Sequence, residues 1–143
     1  MSEANSICKI VIDSNIWVSF LIGKRLSRFL QYILDEHIVI ITCKSQLLEL
    51  SRVFEKPKVK KLIHPDRIRS FFNFLEEYTV SIPVTTITDL CRDPKDNYLL
   101  SLSIDARVHY LVTGDNDLLA LRHINNTVII NFADFEMLMG QRS

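Results

Sequence analysis

Ile7-Cys8-Lys9-Ile10-Val11-Ile12-Asp13-Ser14-Asn15 is the stretch whose reading decides the fold. Up to Ile12 it is β-branched and almost continuously apolar, the pattern of a strand buried on both faces, and it ends in a carboxylate. Far downstream, Tyr110-Leu111-Val112-Thr113-Gly114-Asp115-Asn116-Asp117 repeats the plan. Open α/β sheets place their active sites at the carboxyl ends of their strands. Carboxylates gathered there repel one another unless a cation or a proton relieves them. Acids at two such strand ends predict an α/β fold carrying a metal-dependent site that acts on phosphodiesters.

Outward from these runs, Ile38–Thr42, Thr79–Ile82 and Thr127–Ile130 read as further strands. Ser14 or Asn15 is expected to cap a short helix carrying Trp17, Val18, Phe20 and Leu21, which Gly23 ends. Ser27–Glu36 is amphipathic, with Phe29, Leu30, Ile33 and Leu34 on one side. Ser45 is placed as the cap of a helix reaching Phe54, with Leu47, Leu50, Val53 and Phe54 as its stripe. Pro57 interrupts it, and Lys58–Ile63 adds a turn or two. From Pro65 to about Tyr78, the residues Ile68, Phe71, Phe72, Leu75 and Tyr78 keep helical period. Pro94 and Lys95 open a helix with Leu99, Leu100, Leu102 and Ile104 inward; Leu118–Leu121 and Ala133–Met139 complete the set. The alternation predicts a three-layer α/β/α sandwich around a central, mainly parallel sheet of about five strands. Residues 1–143 are read as a single domain without internal repeats.

Composition narrows the function classes. The 143 residues are 48% hydrophobic and 24% charged, with 17 basic and 17 acidic side chains, so no overall charge draws a nucleic acid and any such surface must come from local segregation. Cys8, Cys43 and Cys91 are odd in number and form no CxxC pair, which suits small buried hydrophobes in a reducing cytosol. No basic-then-apolar leader is visible, and no apolar stretch approaches the roughly 18–20 residues that span a bilayer. A cytoplasmic protein with no membrane association is expected. His37, His64, His109 and His123 lack ligand spacing, which argues against zinc.

The acids near strand ends or helix starts are Asp13, Glu49, Asp93, Asp96, Asp115 and Asp117. Each has a plainer reading. Asp13 caps the next helix, Glu49 is a solvated helix residue, Asp96 is a first-turn acid suited to the helix dipole, and Asp93, Asp115 and Asp117 are turn residues. Jointly they offer the hard oxygen donors that Mg²⁺ prefers.

These residues carry a resemblance. Val11-Ile12-Asp13-Ser14-Asn15 resembles the opening motif of PIN-domain nucleases. Cys91-Arg92-Asp93-Pro94-Lys95-Asp96-Asn97 with Leu99-Leu100 resembles their third acidic motif, and Leu111-Val112-Thr113-Gly114-Asp115-Asn116-Asp117-Leu118-Leu119 resembles the fourth. The likeness runs from Ile7 to about Phe135. Its order and length are similar to the VapC-like ribonuclease toxins of toxin–antitoxin pairs. The resemblance implies a Rossmann-like sandwich in which Asp13, Glu49, Asp96 and Asp115 bind Mg²⁺ or Mn²⁺ and cut RNA, with Asp117 as a fifth acid. It also implies that Ser14 and Asn15 steady the Asp13 carboxylate; Thr113 is expected to do the same for Asp115, and Asp93, about one helical turn before Asp96, to support the ligands from behind. Metal-assisted hydrolysis of this kind leaves a 5′-phosphate and a 3′-hydroxyl.

Arg92 and Lys95 flank the third motif and are placed to meet substrate phosphates. Lys56, Lys58, Lys60 and Lys61, followed by Arg67 and Arg69, form the densest basic run, read equally as a phosphate contact or a solvated face. Trp17 is expected in the core or at a dimer surface. The cluster Phe71, Phe72, Phe74 and Leu75 exceeds one helix stripe and suggests a homodimer or antitoxin contact. Rival folds fit less well. A haloacid-dehalogenase-type phosphatase needs an Asp where Asn15 stands, a receiver domain needs paired acids after the first strand, and a dinucleotide-binding fold needs a glycine-rich loop there. A PIN module that binds RNA or a protein without cutting it is the alternative.

Overall fold

Strand β1 (Cys8–Ile12) lies between β2 (Ile38–Thr42) on one side and β4 (Tyr110–Val112) on the other, parallel to both. Beyond β2 the sheet ends in the parallel β3 (Thr79–Ser81). Beyond β4 come the parallel β6 (Thr127–Ile130) and then β5 (His123–Ile124), antiparallel to β6. The six-stranded order is β3-β2-β1-β4-β6-β5. This computed structural model describes residues 7–35, 37–91 and 94–142, so Glu36, Arg92 and Asp93 lie outside the described residues, as does the Leu34 side chain.

Successive strand residues feed opposite layers, as a period of two requires. Ile10, Ile12, Ile38, Ile40, Val112 and Ile130 join one core. Packed onto it are α1 (Ser14–Ile22), α2 (Leu26–Asp35), α3 (Lys44–Phe54), α5 (Pro65–Tyr78) and α8 (Phe132–Arg142), through Trp17, Phe29, Leu50, Phe71 and Phe135. The short α4 (Pro57–Lys60) follows α3. Val11, Ile41, Leu111 and Ile129 face the other layer, meeting Leu99, Leu100 and Leu102 of α6 (Asn97–Ala106) and Leu118 of α7 (Asn116–Leu119). The result is the expected α/β/α sandwich.

Trp17 is fully buried in the first core, with ring centroids of Phe20, Phe29, Phe71 and Phe74 at 6.1, 5.9, 5.5 and 5.9 Å. It is core, not a dimer surface. Phe72 and Phe74 are half-buried beside buried Phe71 and Leu75. An apolar groove of about 640 Å³ between α2 and α5 is lined by Leu26, Leu30, Phe71, Phe74 and Tyr78. Cys8, Cys43 and Cys91 are all buried, as small apolar side chains are. No described helix is long and apolar enough to cross a membrane.

The structure departs from expectation in its details. Among the described residues the sheet has six strands, one more than the five runs read from the sequence. The two-residue β5 is too short to show a period and exists because Asn125, in the left-handed region at φ 50°, turns the chain back into β6. Helix α1 is capped by Asp13, whose Oδ1 accepts the Asn15 amide, and neither Ser14 nor Asn15 is the cap. Helix α3 begins at Lys44 with Cys43 in the cap position and no side-chain cap bond, so Ser45 lies inside the first turn. At the end of α1, Gly23 keeps φ −83° and Lys24 takes the left-handed φ of 55°. A tight helical turn, Pro94–Asp96, precedes α6, and Ile104 is only half-buried.

Candidate active site

The chain leaves β1 toward β2 on one side, and β4 comes to lie on the other, so the sheet order reverses at the carboxyl end of β1. Open α/β sheets form their crevice at this switch point. The Asp13 amide extends the β1–β4 ladder by donating to the Val112 carbonyl at 2.9 Å. Its carboxylate is 4% exposed. Oδ1 accepts the Asn15 amide at 3.1 Å, and Oδ2 accepts the Thr113 hydroxyl at 2.7 Å. Thr113 Oγ1 in turn accepts the Asp115 amide at 3.0 Å. One hydroxyl thus ties the end of β1 to the loop after β4. Asp115 caps α7, its Oδ1 accepting the amides of Asp117 and Leu118 at 2.8 and 3.3 Å. Cap residues of this kind satisfy first-turn amides that have no partner inside the helix.

Helix α3 brings polar groups to the same end of the sheet. Gln46, Glu49 and Leu50 share a face because residues three and four apart are neighbours on a helix. Glu49 Oε1 accepts the Tyr98 hydroxyl at 2.6 Å. Tyr98 also lies 3.1 Å from Ser14 Oγ. Gln46 is 1% exposed; its amide nitrogen donates to the Ile12 carbonyl and to Ser14 Oγ, and its oxygen accepts from Thr42. Asp96 occupies the cap position of α6, one short step before Tyr98, and its Oδ2 accepts from Cys91 Sγ at 3.8 Å.

The electrostatics record this convergence. Burial pushes the Asp13 carboxyl above its ordinary value, and the nearby carboxylates of Glu49 and Asp115 add to the rise. The Thr113 hydroxyl and Asn15 amide work against it. Tyr98 is likewise raised, first by burial, then by its bond to Glu49 and the charges of Glu49 and Asp13. Carboxylates thus act on both groups.

Glu49 and Asp115 are thus each brought within electrostatic reach of Asp13, and Asp96 stands at the start of the helix whose Tyr98 reaches Glu49. Asp117, half-buried, is in the first turn of α7. Asn15 serves Asp13 through its main chain while its side chain is exposed, and Ser14 turns its hydroxyl to Tyr98 and Gln46. Lys95 is exposed beside Asp96. Arg92 and Asp93 lie outside the described residues. The basic run engages its own surroundings in part: Lys60 pairs with Glu55, Arg69 with Asp66, and Arg67 donates to the Leu21 carbonyl.

Gln46 and Tyr98 were not singled out from the sequence. Gln46 lies one turn before the apolar Leu50, and Tyr98 one turn before Leu102; a polar group in phase with buried neighbours is the signal that marks both.

Among the described residues, no three His, Cys, Asp or Glu side chains form a group that could by itself hold a metal ion. The donors nevertheless suit a hard cation. All are oxygens, and Mg²⁺ is commonly held by one or two carboxylates, with waters and substrate phosphates completing the shell. The carboxylates of Glu49 and Asp115 acting on buried Asp13 are the observation that favours such an ion.

A family model described as "PIN domain" matches residues 9–117. The chain is 32% identical over 126 residues to the uncharacterized protein MJ1680 of Methanocaldococcus jannaschii, covering 86% of this chain and 81% of that one. Its fold resembles the PIN domain endonuclease Utp24 with a TM-score of 0.52 at 17% identity, over 85% of this chain and 82% of that one. It also resembles the PIN domain of human SMG5 with a TM-score of 0.50 at 14% identity, over 94% and 99% of the two chains.

Proposed function

The chain belongs to the PIN-domain family, and from that premise we propose that it is a nuclease hydrolysing RNA phosphodiesters with Mg²⁺ or Mn²⁺. Asp13, Glu49, Asp96 and Asp115 would hold the cation, with Asp117 beside them. The observation that carries this reading is a buried Asp13 whose carboxyl is pushed upward by burial and by the Glu49 and Asp115 carboxylates at the sheet's switch point. Bound there, the cation would supply Lewis-acid activation of water and neutralise charge developing on the phosphate. The residues themselves prepare the geometry. Thr113 and the Asn15 amide fix the direction of the Asp13 carboxylate. The first-turn amides of α7 fix Asp115. Arg92 and Lys95, flanking the third motif, would hold backbone phosphates.

The finer reading is a toxin restrained by a cognate antitoxin protein, in the cytoplasm. It is supported by the order and spacing of the motifs. A small partner gene adjoining this one, whose product co-purifies with the chain and suppresses cleavage, is the expected companion.

The deciding experiment incubates purified protein with RNA under Mn²⁺, Mg²⁺ or EDTA, beside Asp13→Asn and Asp115→Asn. Cleavage with metal, lost on chelation and in both variants, is expected. Cleavage that survives either one overturns the metal mechanism. A second reading is a PIN module that binds RNA or a protein without cutting it. It is adopted if the folded wild type binds RNA and leaves it intact.

A further inference from the structure

A chain of side-chain hydrogen bonds runs into Glu49 from the far side of the crevice, and its direction follows from which atoms can donate. The Ile12 carbonyl only accepts, so the Gln46 group facing it is the amide nitrogen. The Gln46 oxygen then accepts the Thr42 hydroxyl at 2.7 Å. The same Gln46 nitrogen donates to Ser14 Oγ at 3.4 Å. At the other end, a Glu49 carboxylate only accepts, so the single Tyr98 hydroxyl hydrogen is committed to Oε1 at 2.6 Å. The hydrogen between Ser14 and Tyr98, 3.1 Å apart, must therefore come from Ser14. The order is Thr42 to Gln46 to Ser14 to Tyr98 to Glu49, with every donor pointing the same way. Such chains polarise along their length and strengthen the terminal bond.

The chain draws together β2, α3, α1 and α6 around the end of β1, and it ends on the acid with the longest and most mobile side chain of the set. A glutamate loses considerable rotamer freedom when ordered. We infer that Tyr98 is a positioning residue of the nuclease site: its hydroxyl holds Oε1 of Glu49 and leaves Oε2 as the oxygen a divalent cation takes. This rests on the metal-dependent reading above. Tyr98 touches neither substrate nor cation; it acts through Glu49. Outer hydrogen-bond partners of ligands commonly contribute 10- to 100-fold in metal affinity.

The test is Tyr98→Phe, which removes one oxygen, with Ser14→Ala as a second variant that removes the donor feeding Tyr98. Mn²⁺ affinity is read by direct titration calorimetry, and RNA cleavage is read separately. For Tyr98→Phe we expect about tenfold weaker Mn²⁺ binding, a lower kcat at limiting Mn²⁺, an unchanged KM for RNA, and recovery of kcat at excess Mn²⁺. Ser14→Ala is expected to show a smaller loss of the same kind, and it carries the test if Tyr98→Phe does not fold. A purely structural tyrosine would lower the melting temperature without moving Mn²⁺ affinity, and that result overturns the inference. So does a wild type that cleaves RNA beside a Tyr98→Phe variant with identical Mn²⁺ binding and kcat. A wild type that binds Mn²⁺ but cuts no RNA sinks the nuclease reading alone, because the tyrosine's role is still read from the affinity.

Discussion

The Thr113 hydroxyl donates to Asp13 Oδ2 at 2.7 Å across a sequence separation of 100 residues, and accepts the Asp115 amide on its other side. It therefore sets the relative position of two acids that come from different strand ends. Thr113 is completely buried, so both of its hydrogen bonds are made away from water, where a lost partner is costly.

Thr113→Val keeps the shape and removes both bonds. The Asp115 amide loses its acceptor and Asp13 loses the neutral donor that restrains its carboxyl. The expected outcome is Mn²⁺-dependent cleavage reduced about 10- to 100-fold and stability lowered by about 1–3 kcal/mol. Thr113→Ser should keep most of both. Cleavage rates and urea unfolding of the paired variants check this.

Asp13 itself should be a burden on the metal-free protein. Its carboxyl is raised above 3.8 in the folded chain, so between that value and the raised one the folded state holds more protons than the unfolded state. Its contribution to stability is fullest below the ordinary carboxylate range and is lost as pH rises through that window. In EDTA at neutral pH, Asp13→Asn should therefore melt above the wild type, by about 2–4 °C. Mn²⁺ should raise the wild-type melting temperature and leave that of Asp13→Asn unchanged. Equal melting of the two proteins in EDTA would contradict the buried-charge account.

Asp105 on α6 shows the opposite sign. It accepts the amides of Thr85 and Thr86 at 2.6 and 3.1 Å, together with the Thr86 hydroxyl, and the Thr86 hydroxyl leads in lowering its carboxyl below 3.8. Its stabilising effect is present above that value and disappears as pH falls through the lowered one. Asp105→Asn should lower the melting temperature at neutral pH, and the gap to wild type should close in acid. Amide exchange at Thr85 and Thr86 should speed up by about tenfold, since these bonds pin the segment after β3 to α6.

Trp17 should matter for folding and not for chemistry. Trp17→Ala is expected to cost about 3–5 kcal/mol, because the cavity it leaves is walled by Phe20, Phe29, Phe71 and Phe74 and cannot collapse freely. Denaturant unfolding measures this directly. Trp17→Phe should lose far less.

The parts of the fold that show in the sequence are those governed by local pattern. Ile38–Thr42 and Thr127–Ile130 are strands because β-branched residues run unbroken there, and Pro65–Tyr78 is helical because a proline opens it and apolar residues recur in phase. Asp13 and Asp115 were visible because each follows an apolar run. The α1 cap was not resolved because Asp13, Ser14 and Asn15 are all good caps, and only the sheet decides which of them ends the strand. Gln46 and Tyr98 were missed for a different reason. Their partners lie 34 positions away at Ile12, and 84 and 49 away at Ser14 and Glu49. Local periodicity marks such a residue as facing inward and does not say which distant group it meets.

The sheet's outermost members are β3, with three residues, and β5, with two. An unpaired strand margin is a template on which a neighbouring chain can zipper. Here each margin offers so few free backbone groups that a stray polypeptide would gain little by joining. The long β-branched runs most inclined to fibril growth are locked in the middle. This arrangement lets a chain with 48% hydrophobic residues and no formal net charge resist clumping without help from mutual repulsion.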